Sequence, residues 1–238
     1  MDEDLAGVLG DHGADLAGVD GADPAEGEGP EDDYGDGGNV ARLRRAMTAE
    51  QAAPEVLPFK SELVGAVLAA VAEREEALAE AESSTEDDES LAAALYLTEV
   101  KRIKYMLRVY LRTRLKKIET YVLHILNSDE LYGRLSEQEQ EFARTYTDAM
   151  DQLFTSSVTG QMPENFDSLL KQSDASSTND MIAEPNFDSH VFCRIREDVG
   201  TVELDSSGRS VDLNPGDLCI IRYRPIQPLV LEERLELW

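Results

Sequence analysis

The sequence predicts an α+β protein that is mainly α-helical, with an N-terminal helical bundle and a small C-terminal β-rich domain. Apolar residues recur at intervals of three and four through the first two thirds of the chain, which is the period of a packed helix. From about residue 187 they alternate with polar residues, which is the period of a strand. We therefore expect an acidic tail at 1–38, a helical A domain at 39–162, a linker at 163–186 and a β-rich B domain at 187–238.

The charge of the chain is strongly negative and unevenly spread. Its 238 residues have a formal net charge of −27, and the segment before Arg42 contains no Lys or Arg. That segment has too few apolar side chains to offset the entropy of ordering, so we interpret residues 1–38 as disordered. A solubilising role is favoured there over a docking role for basic partners. A field of this sign repels phosphates and argues against nucleic-acid binding by the chain as a whole.

Three longer helices are predicted in the A domain, after a short one near residues 42–47. Ser61 can cap a helix that runs to about Glu82. No Pro or Gly interrupts residues 90–126, which would form one helix of roughly 55 Å. The run Ser136 to Glu139 fits a capping box at the start of the next helix, which we expect to end near residue 160.

The long helix has apolar residues on two faces. Tyr105, Val109 and Leu123 lie near the side opposite its main stripe. A helix packed only within its own domain needs one stripe, so the second face predicts contact with another chain. The main stripe consists of Val100, Ile103, Leu107, Leu111, Ile118, Val122 and Ile125.

Positive charge is concentrated on the same helix, between residues 101 and 117. On a helical wheel Arg114 falls inside the apolar stripe. A charge in that position must be paired, so we expect an ion pair with an acid on a neighbouring helix or subunit. The other cations are typical of a solvated face that pairs with nearby acids, and this interpretation is favoured over a DNA platform.

The B domain begins with a clear strand pattern, in which Phe187, Val191, Cys193 and Ile195 share one face. Further strands are predicted at 201–204, 210–213 and 218–223, and apolar pieces at 229–231 and 235–238 end the chain. About fifty residues form a small core, so we expect this module to pack against something else.

The sequence contains no pattern of residues that indicates catalysis. It has no HExxH or GxSxG run and no phosphate-binding glycine loop, and its three histidines are far apart. Its two cysteines form no CxxC pair. No secretory signal or bilayer-spanning apolar run is present. We therefore expect an intracellular protein without enzymatic activity, cofactor, metal or membrane contact, while an enzyme with a hidden site stays a minor alternative.

Several runs of residues match the sequence pattern of one known family. The most specific match is the Tyr-Leu-Arg-x-Arg-Leu-x-Lys-Ile-Glu pattern, present here from Tyr110 to Glu119. The remaining matches are Glu99 to Leu107, Glu139 to Arg144, Met162 to Asn165, Asp188 to Glu197 and Ile221 to Val230. Together these runs resemble the Sld-five-type subunits of the GINS complex. The resemblance spans residues 55–230 in order and spacing, whereas the acidic tail and residues 231–238 depart from it.

The resemblance implies a helical A domain, a β-rich B domain and a place in a heterotetramer with three Psf-type subunits. It implies that this tetramer joins the Cdc-forty-five protein and the MCM hexamer in the nuclear replicative helicase, as a scaffold that meets DNA only indirectly. We expect the Psf-one type to be the nearest partner.

We expect partner contacts from both domains. In the helical domain the candidates are Tyr105, Tyr110, Leu111, Arg112, Arg114, Leu115 and Ile118. In the B domain they are Phe187, Phe192, Tyr223, Pro228 and Leu229. The alternative function is a DNA-contacting module that uses the basic helix 101–117, with Lys101, Arg108 and Lys116 as candidate contacts.

Overall fold

The structure is a computed structural model that describes residues 37–81, 87–163, 168–172, 179, 181–203 and 210–238. The acidic tail up to residue 36 and much of the predicted linker lie outside these residues. The described part has a helical domain followed by a small antiparallel sheet with one helix, so the predicted fold class is confirmed.

Within the described residues, five helices and a short 3-10 turn form the helical domain. The length of the first helix and the presence of the fourth helix differ from the sequence-based prediction. The first helix has 16 residues rather than six, because Leu43 and Glu50, two turns apart, are both buried on one face. The five-residue fourth helix is too short to show a period in the sequence. The elements are α1 (Gly37–Ala52), α2 (Ser61–Ala81), α3 (Asp87–Leu126), α4 (Asp129–Gly133), α5 (Glu137–Ser157) and the 3-10 turn Thr159–Gln161.

The start of α5 follows the predicted capping box. The Ser136 hydroxyl accepts a hydrogen bond from the Glu139 amide at 3.2 Å, and the Glu139 carboxylate accepts one from the Ser136 amide at 2.9 Å. Both bonds satisfy amides that lack a partner at a helix N-terminus. The helix ends at Ser157, a little before the predicted end, and the 3-10 turn follows.

The helical domain has two apolar clusters, one on each half of α3. The first joins α1, α2 and the N-terminal half of α3, and the second joins the C-terminal half to α5 and Val56. Tyr121, with φ −117° and ψ 22°, interrupts the helical geometry in the second half. The predicted stripe on α3 is confirmed, because six of its members are buried and Leu111 is partly buried.

The C-terminal module contains a three-stranded antiparallel sheet in the order β4-β1-β5. Buried and exposed residues alternate along β1, as predicted, with Val191, Cys193 and Ile195 inside. A separate two-stranded ribbon pairs β2 with β3. The strands are β1 (His190–Ile195), β2 (Gly200–Glu203), β3 (Ser210–Leu213), β4 (Leu218–Arg222) and β5 (Leu235–Leu237).

One helix, α6 (Tyr223–Leu231), covers the inner face of this sheet and includes the apolar piece at 229–231. Ile226 and Val230, one turn apart, point into the core of the module. That core also contains Ala53 and contacts Ala49 near the end of α1. The module therefore packs against the helical domain of its own chain. None of the helices in the described ranges combines the length and the apolar character that crossing a membrane requires.

Candidate partner-binding surfaces and the ion network behind them

The side chain of Arg114 is fully buried, at 0% exposure, in the centre of the helical domain. Its guanidinium donates to both carboxylate oxygens of Glu139 on α5, at 2.7 and 2.9 Å, and to Glu50 on α1 at 3.1 Å. The guanidinium carbon also lies 5.2 Å from the ring centre of Phe59 and 5.7 Å from that of Tyr110. The predicted pairing of this charge with an acid on a neighbouring helix is therefore confirmed.

A second centre of the same network is Glu55, in the connection between α1 and α2. Its carboxylate accepts hydrogen bonds from Arg134 at 3.0 Å, from the Tyr223 hydroxyl at 2.8 Å and from the Gln227 amide at 2.8 Å. Two of these donors lie on α6 of the B domain. Glu55 therefore holds the sheet module against the helical domain through buried polar contacts.

Lys117 joins the two centres. Its ammonium group donates to the Glu50 carboxylate at 2.9 Å and to the Glu55 backbone carbonyl at 2.7 Å. Each charge therefore has an opposite charge beside it, as burial of ions requires. The ion network contains three cations and three carboxylates, namely Arg114, Lys117, Arg134, Glu50, Glu55 and Glu139.

The ion network changes the pKa values of groups in it and beside it. Burial would lower the pKa of Arg114, but the hydrogen bonds to Glu139 and the charge of Glu50 raise it instead, so the guanidinium stays charged. Burial, followed by the negative charge of Glu55, raises the pKa of the Tyr223 phenol. Both shifts favour the protonation states that the hydrogen bonds need.

The outer face of α3 points away from this network and toward solvent. Tyr105 is 62% exposed and Leu115 is 36% exposed on this side of the helix. In the part of the chain that the structure describes, no carboxylate lies within 4 Å of the four cations that flank them. We call this surface the outer α3 face, and it consists of Lys101, Tyr105, Arg108, Arg112, Leu115 and Lys116.

The N-terminal end of α3 also carries exposed apolar residues. Leu91, Leu95 and Tyr96 are all strongly exposed, and they are spread around the helix rather than along one side. These residues were not among the predicted contacts, although the apolar run 95–97 is visible in the sequence. Of the three residues predicted on the second face of α3, Tyr105 is exposed, whereas Val109 is half-buried and Leu123 packs against the second apolar cluster of the helical domain.

The structure separates the predicted interface residues into two groups. Tyr110, Arg114, Ile118 and Tyr223 are buried inside the chain, so a partner would sense them only through the fold they support. Their selection reflects their place in the family pattern, which includes residues of the chain's own core.

The remaining candidates reach solvent to different degrees. Leu111, Phe187 and Leu229 are partly buried, and the last two pack on the core of the B domain. The exposed candidates are Tyr105, Arg112, Leu115, Phe192 and Pro228. Their contact with a partner stays a prediction.

The three candidate DNA contacts, Lys101, Arg108 and Lys116, are all exposed on the outer α3 face. Their spacing of seven and eight residues aligns them along one side of the helix over about 22 Å. The structure therefore brings them together in one row, which they share with the exposed apolar residues.

The two domains match two families of known sequences. Residues 69–158 match the family model for the GINS complex protein helical bundle domain, and residues 185–237 match that for the DNA replication complex GINS protein SLD5 C-terminus. The DNA replication complex GINS protein SLD5 of Arabidopsis thaliana is 36% identical over 201 residues, which cover 84% of this chain and 90% of that protein. The chain belongs to the SLD5 family of GINS proteins.

Other members of the SLD5 family show similar agreement. The human protein of the same name is 32% identical over 208 residues, covering 83% of this chain and 88% of that protein. The Schizosaccharomyces pombe protein is 31% identical over 177 residues, covering 74% of this chain and 81% of that protein. Neither family model includes α1 or the connection after it, so Glu50 and Glu55 of the ion network lie outside both matched segments.

Proposed function

We propose that the chain is a non-catalytic structural subunit of a heterotetrameric GINS complex that functions in DNA replication, with three Psf-type subunits as its partners. Membership of the SLD5 family supports this proposal, since its relatives bear the name DNA replication complex GINS protein. The main structural support is the outer α3 face, where exposed Tyr105 and Leu115 lie among cations that have no carboxylate within 4 Å in the described part of the chain. A partner with apolar and acidic side chains would cover such a surface favourably.

The ion network suits the chain to a scaffolding role. It fixes α3 against α1 and α5 through Arg114, and it fixes the B domain against α1 through Glu55. A surface that is rigid before binding loses little conformational entropy when a partner docks. The energy of binding is then available to hold the partners in one geometry.

In this proposal the Psf-one-type subunit packs against the outer α3 face. Tyr105 and Leu115 enter the apolar centre of that interface, and the surrounding cations meet acids of the partner at its rim. The assembled complex holds the Cdc-forty-five protein and the MCM hexamer together in the replicative helicase at the replication fork. The chain acts in the nucleus and meets DNA indirectly.

The experiment is co-expression with the three Psf-type subunits, comparing wild type with the double variant Tyr105→Asp/Leu115→Asp. We expect the double variant to bind the partners at least about tenfold more weakly, because it places two charges in the apolar centre of the interface. The matched control is Val211→Asp, at an exposed apolar position on the β2–β3 ribbon. A double variant that is retained as well as the control would contradict the proposal.

Direct contact with DNA is a second candidate function. The row of Lys101, Arg108 and Lys116, which have no ion pair within 4 Å among the described residues, favours it, whereas the net charge of −27 opposes it. Fluorescence anisotropy with forked DNA across a range of salt concentrations separates the two functions. Phosphate contacts predict an affinity that falls steeply with salt and is lost when these three residues become Ala. The scaffold proposal predicts no such binding.

A further inference from the structure

The three-stranded sheet of the B domain has an outer face that none of the described elements covers, and four large apolar residues are exposed on it. Phe192, Ile220 and Trp238 are 60%, 61% and 65% exposed, and Leu218 is more exposed still. Phe192 lies directly opposite Ile220 in the strand register, and the Trp238 amide donates to the Phe192 carbonyl at 3.0 Å. One apolar row therefore crosses all three strands. We call Phe192, Leu218, Ile220 and Trp238 the open sheet face.

This pattern differs from that of a sheet with one solvated side. An antiparallel sheet whose outer face meets water normally carries polar residues there. In this sheet α6 and the end of α1 already cover the inner face, where Val191, Cys193 and Ile221 are buried. The sheet therefore has apolar residues on both sides, as expected of a sheet that is covered on both sides when assembled.

Two arginines flank the open sheet face. Arg194 lies opposite Leu218 in the register, and Arg222 lies opposite His190. Neither arginine has a carboxylate within 4 Å among the described residues. Glu236 lies opposite Arg194 on the neighbouring strand, but its carboxylate is within 4.0 Å of Arg45 on α1 instead. An apolar surface flanked by available cations fits an occupant that has both apolar and acidic side chains.

The size of the face limits what can cover it. Three strands spaced about 4.8 Å apart, each of three to six residues, present roughly 10 by 15 Å. This area matches two to three turns of one helix with its 5.4 Å pitch. Two other occupants fit poorly. A second copy of this chain would place the same arginines opposite each other and would bring together two chains that each have a net charge of −27. Nucleic acid would be repelled by the same net charge.

We propose that the open sheet face is a second docking surface, covered by an acidic amphipathic helix of another subunit of the complex. This inference rests on the proposed function, because it takes the chain to be a subunit. It adds a contact separate from the outer α3 face and specifies the chemistry of the partner segment. That segment has apolar residues at intervals of three and four, with Asp or Glu beside them to meet Arg194 and Arg222.

The first test uses Trp238, which is the only tryptophan of the chain. Hydroxyl-radical footprinting, read by mass spectrometry, gives its oxidation rate in the complex co-purified with the Psf-type subunits. The reference is the same complex unfolded in urea. We expect at least about fivefold protection, because residues at the centre of an interface are desolvated. Protection of less than about twofold, as an uncovered face would give, overturns the inference.

The second test identifies the occupant and its charge. A photo-crosslinking amino acid in place of Phe192 should attach to an acidic segment of another subunit. Attachment to a basic segment, to nucleic acid or to this same chain would overturn the inference. Arg194→Glu should weaken retention in the complex about tenfold relative to Val211→Asp, and equal retention of the two variants counts against it.

The outcomes separate this inference from the proposed function. If a complex forms with the Psf-type subunits but Trp238 stays reactive, the inference fails and the proposed function stands. If no complex forms under co-expression, both fail. Protection of Trp238 together with weaker retention of the Arg194→Glu variant in the complex supports both the inference and the proposed function.

Discussion

Replacing Arg114 with Ala tests the ion network most severely. The substitution removes five N–H donors from a fully buried position. It leaves Glu139 with the Ser136 amide as its remaining donor, and Glu50 with Lys117. Two carboxylates then stay in the core with fewer partners than their burial requires.

The expected loss of stability follows from this geometry. Removing one partner of a buried ion pair costs about 3–5 kcal/mol, because the other charge remains buried without compensation. Domains of this kind have total stabilities of about 5–15 kcal/mol, so the loss is a large share of the total. We expect weaker assembly as a consequence, because less of the chain is folded at any time.

Urea unfolding followed by circular dichroism measures the effect on the complex or on the chain alone. With an m-value of about 2 kcal/mol per M, the midpoint should fall by about 1.5–2.5 M. Arg112→Ala is the matched control, because it removes the same side chain from an exposed position two residues earlier and should change stability by less than about 0.5 kcal/mol.

A double-mutant cycle completes the test. Glu139→Gln removes one of the two buried charges that Arg114→Ala leaves short of partners. The double variant should therefore be at least about 1 kcal/mol more stable than the sum of the two single losses of stability predicts. A cost of less than about 1 kcal/mol for Arg114→Ala, or an equal cost for Arg112→Ala, would mean that the ion network does not stabilise the fold.

Three further predictions concern single side chains. Tyr223→Phe should cost about 1.5–3 kcal/mol in urea unfolding, because it removes a buried hydrogen bond to the Glu55 carboxylate. Ser136→Ala should cost about 1 kcal/mol and increase amide exchange in the first turn of α5. Burial raises the pKa of the Cys193 thiol to about 11, so iodoacetamide at pH 8 should modify it far more slowly than Cys219.

Each of these predictions has a contrary result. Equal stability of Tyr223→Phe and wild type would mean that the hydrogen bond from Tyr223 to Glu55 does not stabilise the fold. Unchanged exchange in Ser136→Ala would mean that the capping box is not formed. Alkylation of Cys193 as fast as that of Cys219 would mean that β1 opens readily.

The contribution of the Tyr223 hydroxyl to the free energy of unfolding depends on pH. The folded pKa of this phenol is raised above its unfolded value, which is near 10. Its contribution is therefore fully present below about pH 10 and is lost as the pH rises further. The stability difference between wild type and Tyr223→Phe should be constant from pH 7 to 9 and shrink above pH 10. A difference that grows above pH 10 would contradict the assignment.

Local patterns in the sequence predicted the elements that depend on near neighbours. The stripe on α3, the capping box at Ser136 and the alternation along β1 each need only residues within a few turns or one strand. The pairing of Arg114 was also predictable, because a cation inside an apolar stripe requires an acid. Its partners were not, since Glu50 and Glu139 are two of 49 acidic residues and are 64 and 25 positions away.

The exposure of individual candidate residues depended on tertiary packing. Tyr105 and Tyr110 are five positions apart on one helix, yet the first is exposed and the second is buried against Phe59. The family pattern includes both without distinguishing these roles. The open sheet face could not be predicted from the sequence for a related reason. The strand register that aligns Phe192 with Ile220 and Trp238 joins segments that are distant in the sequence.

We propose that this chain functions by assembling with other subunits. The experiment is co-expression with the three Psf-type subunits, followed by size-exclusion chromatography with light scattering. We predict one stable complex that contains one copy of each of the four chains. A well-behaved monomer that elutes apart from those partners would contradict the account and favour direct DNA contact through the outer α3 face.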